Sequence, residues 1–367
     1  MKKFSFYSLL LSIFMVALFS LVACNDSSEK KQEKTKLSIV TTIYPEYDWL
    51  KEILGTRADS VVLTLLMKNG VDLHSYKPTA QDIAKIASAD MIVYVGGESD
   101  EWIKDALEAT PKKGRSEINL MEALGDRVKA EEVVEGMEAE HHHDENAEEL
   151  EHEHHSEHAP HHSKQAKGLA HYDEHAETHE HHDHEHEIEN DEHVWLSLKN
   201  AEILVQKITV ELAKLDLAHA SIYKDNAADY IARIKSLDDN YRTAIKSASR
   251  TTVLFGDRFP FRYLVDDYGL KYYAAFVGCS AESEASFETI AFLAGKMDSL
   301  SLPAIFTIEK GNKKIANAVL AASKNSKEAQ ILTINSMQSV TEQQIAEGES
   351  YLSIMQSNLE ILKKALN

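Results

Sequence analysis

The sequence lacks the features of disulfide-stabilised proteins, of nucleic-acid-binding proteins and of hydrolases. It has only two cysteines in 367 residues, and one of them, Cys24, belongs to the N-terminal segment described below, so no disulfide framework is possible. It has no basic stripe, which argues against nucleic acid as a partner. The folded parts contain no H-E-x-x-H or G-x-S-x-G element. A lipid-anchored zinc hydrolase, the enzymatic alternative, therefore has no catalytic motif, and we expect no enzyme.

The excess of acidic residues is confined to one segment. The formal net charge is −21, but residues 131–192 hold 22 of the 60 acidic residues and two of the 39 basic ones. Sixteen of the 19 histidines lie between residues 141 and 186. A segment so charged, with few aromatic or β-branched residues, cannot bury enough apolar surface to offset the entropy lost on ordering. We predict a disordered loop here, inserted in the first half of the chain.

The N-terminus has the pattern of a lipoprotein signal. Lys2 and Lys3 precede a long apolar run that ends in "LVAC", and a polar stretch, "NDSSEKKQEKTK", follows. A transmembrane helix is the alternative, since the run is long enough to span a bilayer. The small residue before Cys24 favours cleavage and lipidation of that cysteine. We therefore expect residues 1–23 to be removed, residues 24–36 to act as a linker, and the protein to be extracytoplasmic and lipid-anchored to the cell membrane.

Short apolar runs alternate with amphipathic helical patterns, which is typical of parallel sheets covered by helices. The predicted strands are residues 37–42, 60–66, 91–97, 251–255, 271–276, 303–309 and 329–334. They fall into two groups and so predict an α/β fold with two lobes, residues 37–194 and 250–367.

A long helical pattern separates the two groups. Residues 195–249 are predicted to form a rigid connecting helix, because the stretch from 198 to 248 contains no glycine or proline. Fifty helical residues would span about 75 Å, so we expect a bend or break near residues 216–221. A stiff connector places the ligand in the cleft between the lobes.

Three histidines lie outside the acidic tract. His219 is interpreted as a residue on a helix surface. His74 follows a predicted strand and a turn glycine, which is where open α/β sheets bind ligands. His193, in "DEHVWLSL", is the first histidine after the tract that belongs to a folded pattern. Each alone is equally compatible with a structural role.

Taken together, these stretches resemble a known family, the solute-binding lipoproteins of zinc and manganese ABC importers. The resemblance rests on "GVDLHSYKPTAQDIAKIASADMIVYVGG" and "DEHVWLSLKNAE", with "TTIYPEYDWLKEILG", "FGDRFPFRYLVDDYGL" and "GCSAESEASFETI" in support. It extends over nearly all of residues 37–367. It implies a metal held between two lobes by His74 and His193, a membrane permease as partner, and a monomer.

The resemblance leaves the remaining ligands open. Where the family has a histidine in the second lobe, this chain has Arg258, so Asp257 is the candidate carboxylate. The family's last acidic position corresponds to Asn335, which makes Glu309 an alternative oxygen donor, although it is equally suited to a salt bridge or helix cap. Cys279 could supply a thiolate, a strong zinc ligand, or could simply be a small buried residue.

The implied cargo is Zn²⁺, with Mn²⁺ possible in the same cleft. Neutral imidazoles bind zinc well and manganese poorly, and the tract is expected to collect zinc near the cleft. A surface metal buffer or adhesin, which would need only the tract, is the other alternative. The histidines assigned to collection are His141, His142, His143, His152, His154, His155, His181, His182, His184 and His186.

Overall fold

The structure is a computed structural model that describes residues 36–138, 189–280, 284–324 and 329–367. Within these residues it contains two four-stranded sheets, in which every strand pair is parallel. Both sheets belong to one compact unit, Ser38–Asn367. No helix in the described ranges is both long and apolar enough to cross a membrane.

The first lobe is built on strands in the order β2-β1-β3-β4. These strands are β1 (Ser38–Thr41), β2 (Val62–Leu65), β3 (Met91–Tyr94) and β4 (Ser116–Asn119). The helices of this lobe are α1 (Tyr44–Leu54), α2 (Ala80–Ser88), α3 (Glu101–Ala109) and α4 (Leu120–Leu124). Strand β4 was not predicted, because "SEIN" is a short and mostly polar segment.

The second lobe repeats the same strand order, β6-β5-β7-β8. Its strands are β5 (Thr252–Phe259), β6 (Lys271–Val277), β7 (Ala304–Ile308) and β8 (Gln330–Ile334). Its helices are α7 (Arg262–Tyr268), α8 (Phe287–Ser299), α9 (Lys314–Ala322), α10 (Glu342–Ala346) and α11 (Tyr351–Leu366). The predicted α/β class with two helix-flanked parallel sheets is confirmed.

The region between the sheets contains two helices, α5 (Leu198–Leu215) and α6 (Ala220–Lys246). The predicted break is confirmed: α5 ends at Leu215, and a short 3-10 turn, Leu217–His219, follows Asp216. The helix does not merely bend there. Lys235 of α6 lies 3.6 Å from Glu202 of α5, so the two helices run antiparallel and side by side. The long connection to the second lobe is therefore α6 alone. The prediction of a single helix over residues 195–249 was wrong.

Cross-lobe hydrogen bonds tie the C-terminal helix to the first half of the chain. The hydroxyl of Tyr351, at the start of α11, donates to the carbonyl oxygen of Trp195 at 2.7 Å, and its backbone N–H donates to Asp48 at 2.9 Å. The indole N–H of Trp195 donates to the carbonyl oxygen of Ser336 at 2.8 Å. Both aromatic side chains are fully buried. These bonds fix the segment next to His193 against both lobes.

We predict that Tyr351→Phe lowers the free energy of unfolding by about 1–3 kcal/mol, because it leaves the buried Trp195 carbonyl without its donor. Denaturant unfolding of the metal-free protein measures the change. Tyr47→Phe is the matched control, since the Tyr47 hydroxyl has no hydrogen bond within the described part of the chain. Equal stability of the two variants would contradict the role assigned to this bond.

Candidate metal centre

Two histidines from distant parts of the first half meet between the lobes. His74 lies in a 3-10 turn, Leu73–Ser75, after β2, and Asp72 caps this turn by accepting a 3.0 Å hydrogen bond from the His74 backbone N–H. His193 directly precedes a second 3-10 turn, Val194–Leu196, which leads into α5. The His193 side chain is fully buried, and that of His74 is 10% exposed.

Each imidazole is oriented through its Nδ1 atom. Asp191 accepts two hydrogen bonds at one oxygen, 2.8 Å from the His193 backbone N–H and 2.9 Å from His193 Nδ1. This contact orients the ring so that Nε2 of His193 faces the cleft. The Nδ1 atom of His74 lies 2.7 Å from Ser99 Oγ, which leaves its Nε2 facing the cleft as well. Metal-binding histidines typically have such a hydrogen-bond partner on the ring nitrogen that does not bind the metal.

The two Nε2 atoms face each other at 3.3 Å. Two imidazole nitrogens at ordinary zinc distances stand about 3.3–3.4 Å apart in a tetrahedral site. Burial, together with the neighbouring His193, lowers the pKa of His74 to about 3. The His74 ring is therefore neutral near pH 7, and the two Nε2 atoms face one common point.

Two further side chains reach this point. The Cys279 thiol belongs to a group in which Sγ and one ring nitrogen from each histidine all lie within 4.8 Å of one another. The amide of buried Gln338 contacts His193 Nε2 and lies 3.3 Å from His74 Nε2. Gln338 was not among the predicted site residues, because an amide after a strand gives no recognisable metal-ligand pattern.

The two predicted carboxylate ligands lie outside that group. Asp257 accepts hydrogen bonds from the backbone N–H groups of Arg258 at 2.9 Å and Ile308 at 3.2 Å. Glu309 accepts from the backbone N–H and the hydroxyl of Ser336, at 2.7 and 2.8 Å. Both line a cleft cavity of about 400 Å³ that also borders His74. Each holds together the loops at the carboxyl ends of the second sheet.

Three buried carboxyl groups lie behind the histidines. Glu192 accepts from the Ser99 N–H at 2.8 Å with one oxygen, while its other oxygen is 3.7 Å from His74 Nδ1. Asp100 accepts from Val95 N–H at 2.7 Å, and burial raises its pKa to about 7. Burial also raises the pKa of Glu46 well above its usual value. Glu46, Asp100 and Glu192 each have one oxygen without a hydrogen-bond partner among the described residues.

The described ends of the acidic segment are part of the fold. The Glu131 backbone N–H donates to the Glu189 carbonyl at 2.9 Å, and the Glu131 side chain accepts from the Cys279 N–H at 3.0 Å. Glu138 accepts from the Thr289 hydroxyl at 2.7 Å. The boundary predicted at residues 131–192 was therefore too wide. The ten histidines assigned to zinc collection lie outside the described residues, as does Cys24.

The fold and the site define a class: a solute-binding protein with two α/β lobes and a candidate metal centre between them. Residues 39–365 match the model of the family described as zinc-uptake complex component A, periplasmic. The chain belongs to this family, as its motifs predicted. The family consists of solute-binding proteins and not enzymes, which confirms the expected absence of catalysis.

Relatives of known name cover nearly the whole chain. It is 32% identical over 366 residues to the zinc-binding lipoprotein AdcA of Streptococcus pneumoniae, spanning 99% of this chain and 61% of that protein. It is 28% identical to the high-affinity zinc uptake system protein ZnuA of Bacillus subtilis, spanning 96% of both. The crystal structure of the Zn(II)-bound ZnuA-like domain of S. pneumoniae AdcA superimposes with a TM-score of 0.62 at 27% identity, covering 90% of this chain and 99% of that domain. The chain thus spans about three fifths of the AdcA length.

The raised pKa of Asp100 predicts a pH-dependent stability. An unfolded aspartate ionises near pH 3.8, whereas folded Asp100 holds its proton to about pH 7. Between these values the folded state binds more protons, so stability falls as pH rises. We expect the free energy of unfolding of wild type to fall by up to about 1.4 kcal/mol per pH unit, relative to that of Asp100→Asn, over this pH range. Denaturant unfolding of both metal-free proteins from pH 4.5 to 7 measures this difference. If the two plots of unfolding free energy against pH run parallel, the raised pKa of Asp100 is refuted.

Proposed function

We propose that this protein captures Zn²⁺ outside the cytoplasm, between its two lobes, and delivers it to the membrane permease of an ABC importer. His74 and His193 are the proposed core ligands. The observation that carries this proposal is the pair of buried Nε2 atoms 3.3 Å apart, each oriented through its Nδ1 atom. The Gln338 amide faces the same two nitrogens, so three polar side chains converge on the point where a cation would bind.

The donor chemistry favours zinc over manganese. Neutral imidazole suits zinc, whereas manganese prefers carboxylate, carbonyl and water oxygens. In the described part of the chain, Asp257 and Glu309 accept backbone hydrogen bonds in their own loops and lie outside the group around the histidines. The zinc-binding names of the relatives and the Zn(II)-bound structure agree with this preference.

The N-terminal signal and the histidine tract complete the proposal. Lipidation of Cys24 would hold the protein at the outer face of the membrane, beside its permease, as a monomer. The tract would collect zinc at moderate affinity and raise its concentration near the cleft, because a short tether gives effective concentrations in the millimolar range. The lipoprotein name of the S. pneumoniae relative supports the anchor.

Zinc titration against a competing chelator tests the cleft. We expect one tight site in wild type that is lost in His74→Ala and in His193→Ala. His219→Ala is the matched control, because His219 pairs with Asp216 at the α5–α6 turn and should leave affinity unchanged. A parallel titration with Mn²⁺ should show much weaker binding. Tight binding that survives both cleft variants would refute the proposed site.

Deletion of residues 139–188 separates the tract from the cleft. The deletion must stop there, because Glu131, Glu138 and Asp191 hold the site and its surroundings. We expect the tight site to persist while the weaker sites, counted by zinc titration at pH 7, disappear. A protein that loses all zinc binding on this deletion would be a metal buffer and not an importer component.

A further inference from the structure

We propose that Cys279 Sγ is the third zinc ligand, giving the cleft a donor set of two imidazoles and one thiolate. This inference rests on the proposed function and specifies its site. The third ligand would thus come from the loop after β6. In the family pattern it is a histidine at the end of β5. The supporting observations are the position of the thiol, the residue that occupies the family's histidine position, and the packing of the loop.

The Cys279 thiol lies beside the two histidine rings. Sγ and one nitrogen of each ring are within 4.8 Å of one another. A zinc-bound sulfur and a zinc-bound nitrogen stand about 3.6 Å apart, given bond lengths of about 2.3 and 2.0–2.1 Å. Since 4.8 Å exceeds this separation by about 1.2 Å, a shift of about 1.2 Å or less would close the site around zinc.

Arg258 cannot bind the metal and instead holds the ligand loops. Its guanidinium donates to Asp72 at 2.7 Å and to the Ser280 carbonyl at 3.3 Å. Asp72 caps the His74 turn, and Ser280 follows Cys279 directly. Arg258 is therefore a positioning residue that connects the His74 loop to the Cys279 loop.

The Cys279 loop approaches His193 closely because Gly278 precedes the cysteine. A Cβ atom at Gly278 would stand 3.1 Å from His193 Cε1 and Nδ1, and 3.0 Å from the Phe259 carbonyl oxygen. On the other side, Glu131 accepts a 3.0 Å hydrogen bond from the Cys279 N–H. Backbone contacts on both sides thus hold the thiol beside the two rings.

Binding exchanges a proton for the metal. Burial raises the pKa of Cys279 above its ordinary value, so the metal-free thiol is neutral. When Zn²⁺ enters, the S–H bond breaks, a Zn–S bond forms and one proton is released to solvent. The resulting thiolate adds a soft donor, which strengthens discrimination against manganese.

Cobalt spectroscopy and X-ray absorption test this assignment on the full chain. We expect Co²⁺ at one equivalent to give a near-ultraviolet thiolate-to-cobalt charge-transfer band in wild type. The zinc form should show one sulfur neighbour at about 2.3 Å. Cys279→Ser should abolish both signals and weaken zinc binding at least tenfold, since even a lost supporting contact to a metal ligand costs roughly 10–100-fold.

Cys24→Ser provides the matched control, because Cys24 and Cys279 are the two cysteines of the sequence. This variant keeps Cys279 as its sole thiol and should retain the band, the sulfur neighbour and the affinity. It also keeps the test valid if Cys279→Ser fails to fold. A Cys24→Ser protein whose zinc has only nitrogen and oxygen neighbours would overturn the inference.

The outcomes separate this inference from the proposed function. If His74→Ala and His193→Ala abolish tight zinc binding while Cys279→Ser leaves it unchanged, the proposed site in the cleft is supported and Cys279 as a ligand is refuted. If tight zinc binding persists in both histidine variants, the proposed function is refuted, and so is the assignment of Cys279 as a ligand.

Discussion

The structure is organised around one close contact: two imidazoles whose Nε2 atoms face each other across 3.3 Å, with the Gln338 amide against both. Left to themselves, two such rings would rotate or move apart. Asp191 prevents this at His193 by accepting from both the backbone and the ring, and Ser99 and Asp72 perform the same task at His74. The polar groups around the histidines thus keep both Nε2 atoms directed at one point.

Holding that geometry requires a stiff frame, and the frame is built from fully buried aromatic residues. Trp195, two residues after His193, donates to the second lobe, and Tyr351 of the C-terminal helix binds both Trp195 and Asp48 of the first lobe. Helix α6 supports these bonds with apolar residues at spacings of three and four, of which Tyr230, Ile234 and Tyr241 are buried. A free hinge between the lobes is incompatible with these contacts.

The sequence predicts those parts of the molecule that depend on local pattern. Seven of the eight strands are apolar runs and were found, whereas β4 is polar apart from Ile118 and escaped notice. The fold-back at Asp216 was predicted only as a break, because its reversal is set by packing of α5 on α6 and not by a glycine or proline. His74 and His193 could be singled out because each adjoins a recognisable motif. Gln338 and the buried carboxyl groups could not, since their role comes from which loops the two sheets bring together.

The carboxyl groups behind the histidines explain how a site with few anionic ligands can attract a divalent cation. Glu192 lies 3.7 Å from His74, and Asp100 and Glu46 lie deeper, all buried and each with one oxygen unpartnered among the described residues. Burial disfavours their ionised forms, so they weaken the metal-free fold as the pH rises. A cation bound between the imidazoles would favour ionisation of the same groups, because attraction between unlike charges is strong where solvent is excluded. The positive charge of Arg258 does not offset this attraction, since Asp72 pairs with it at 2.7 Å. The same buried carboxyl groups would therefore reduce the stability of the metal-free protein and, under the proposed function, increase its affinity for the metal.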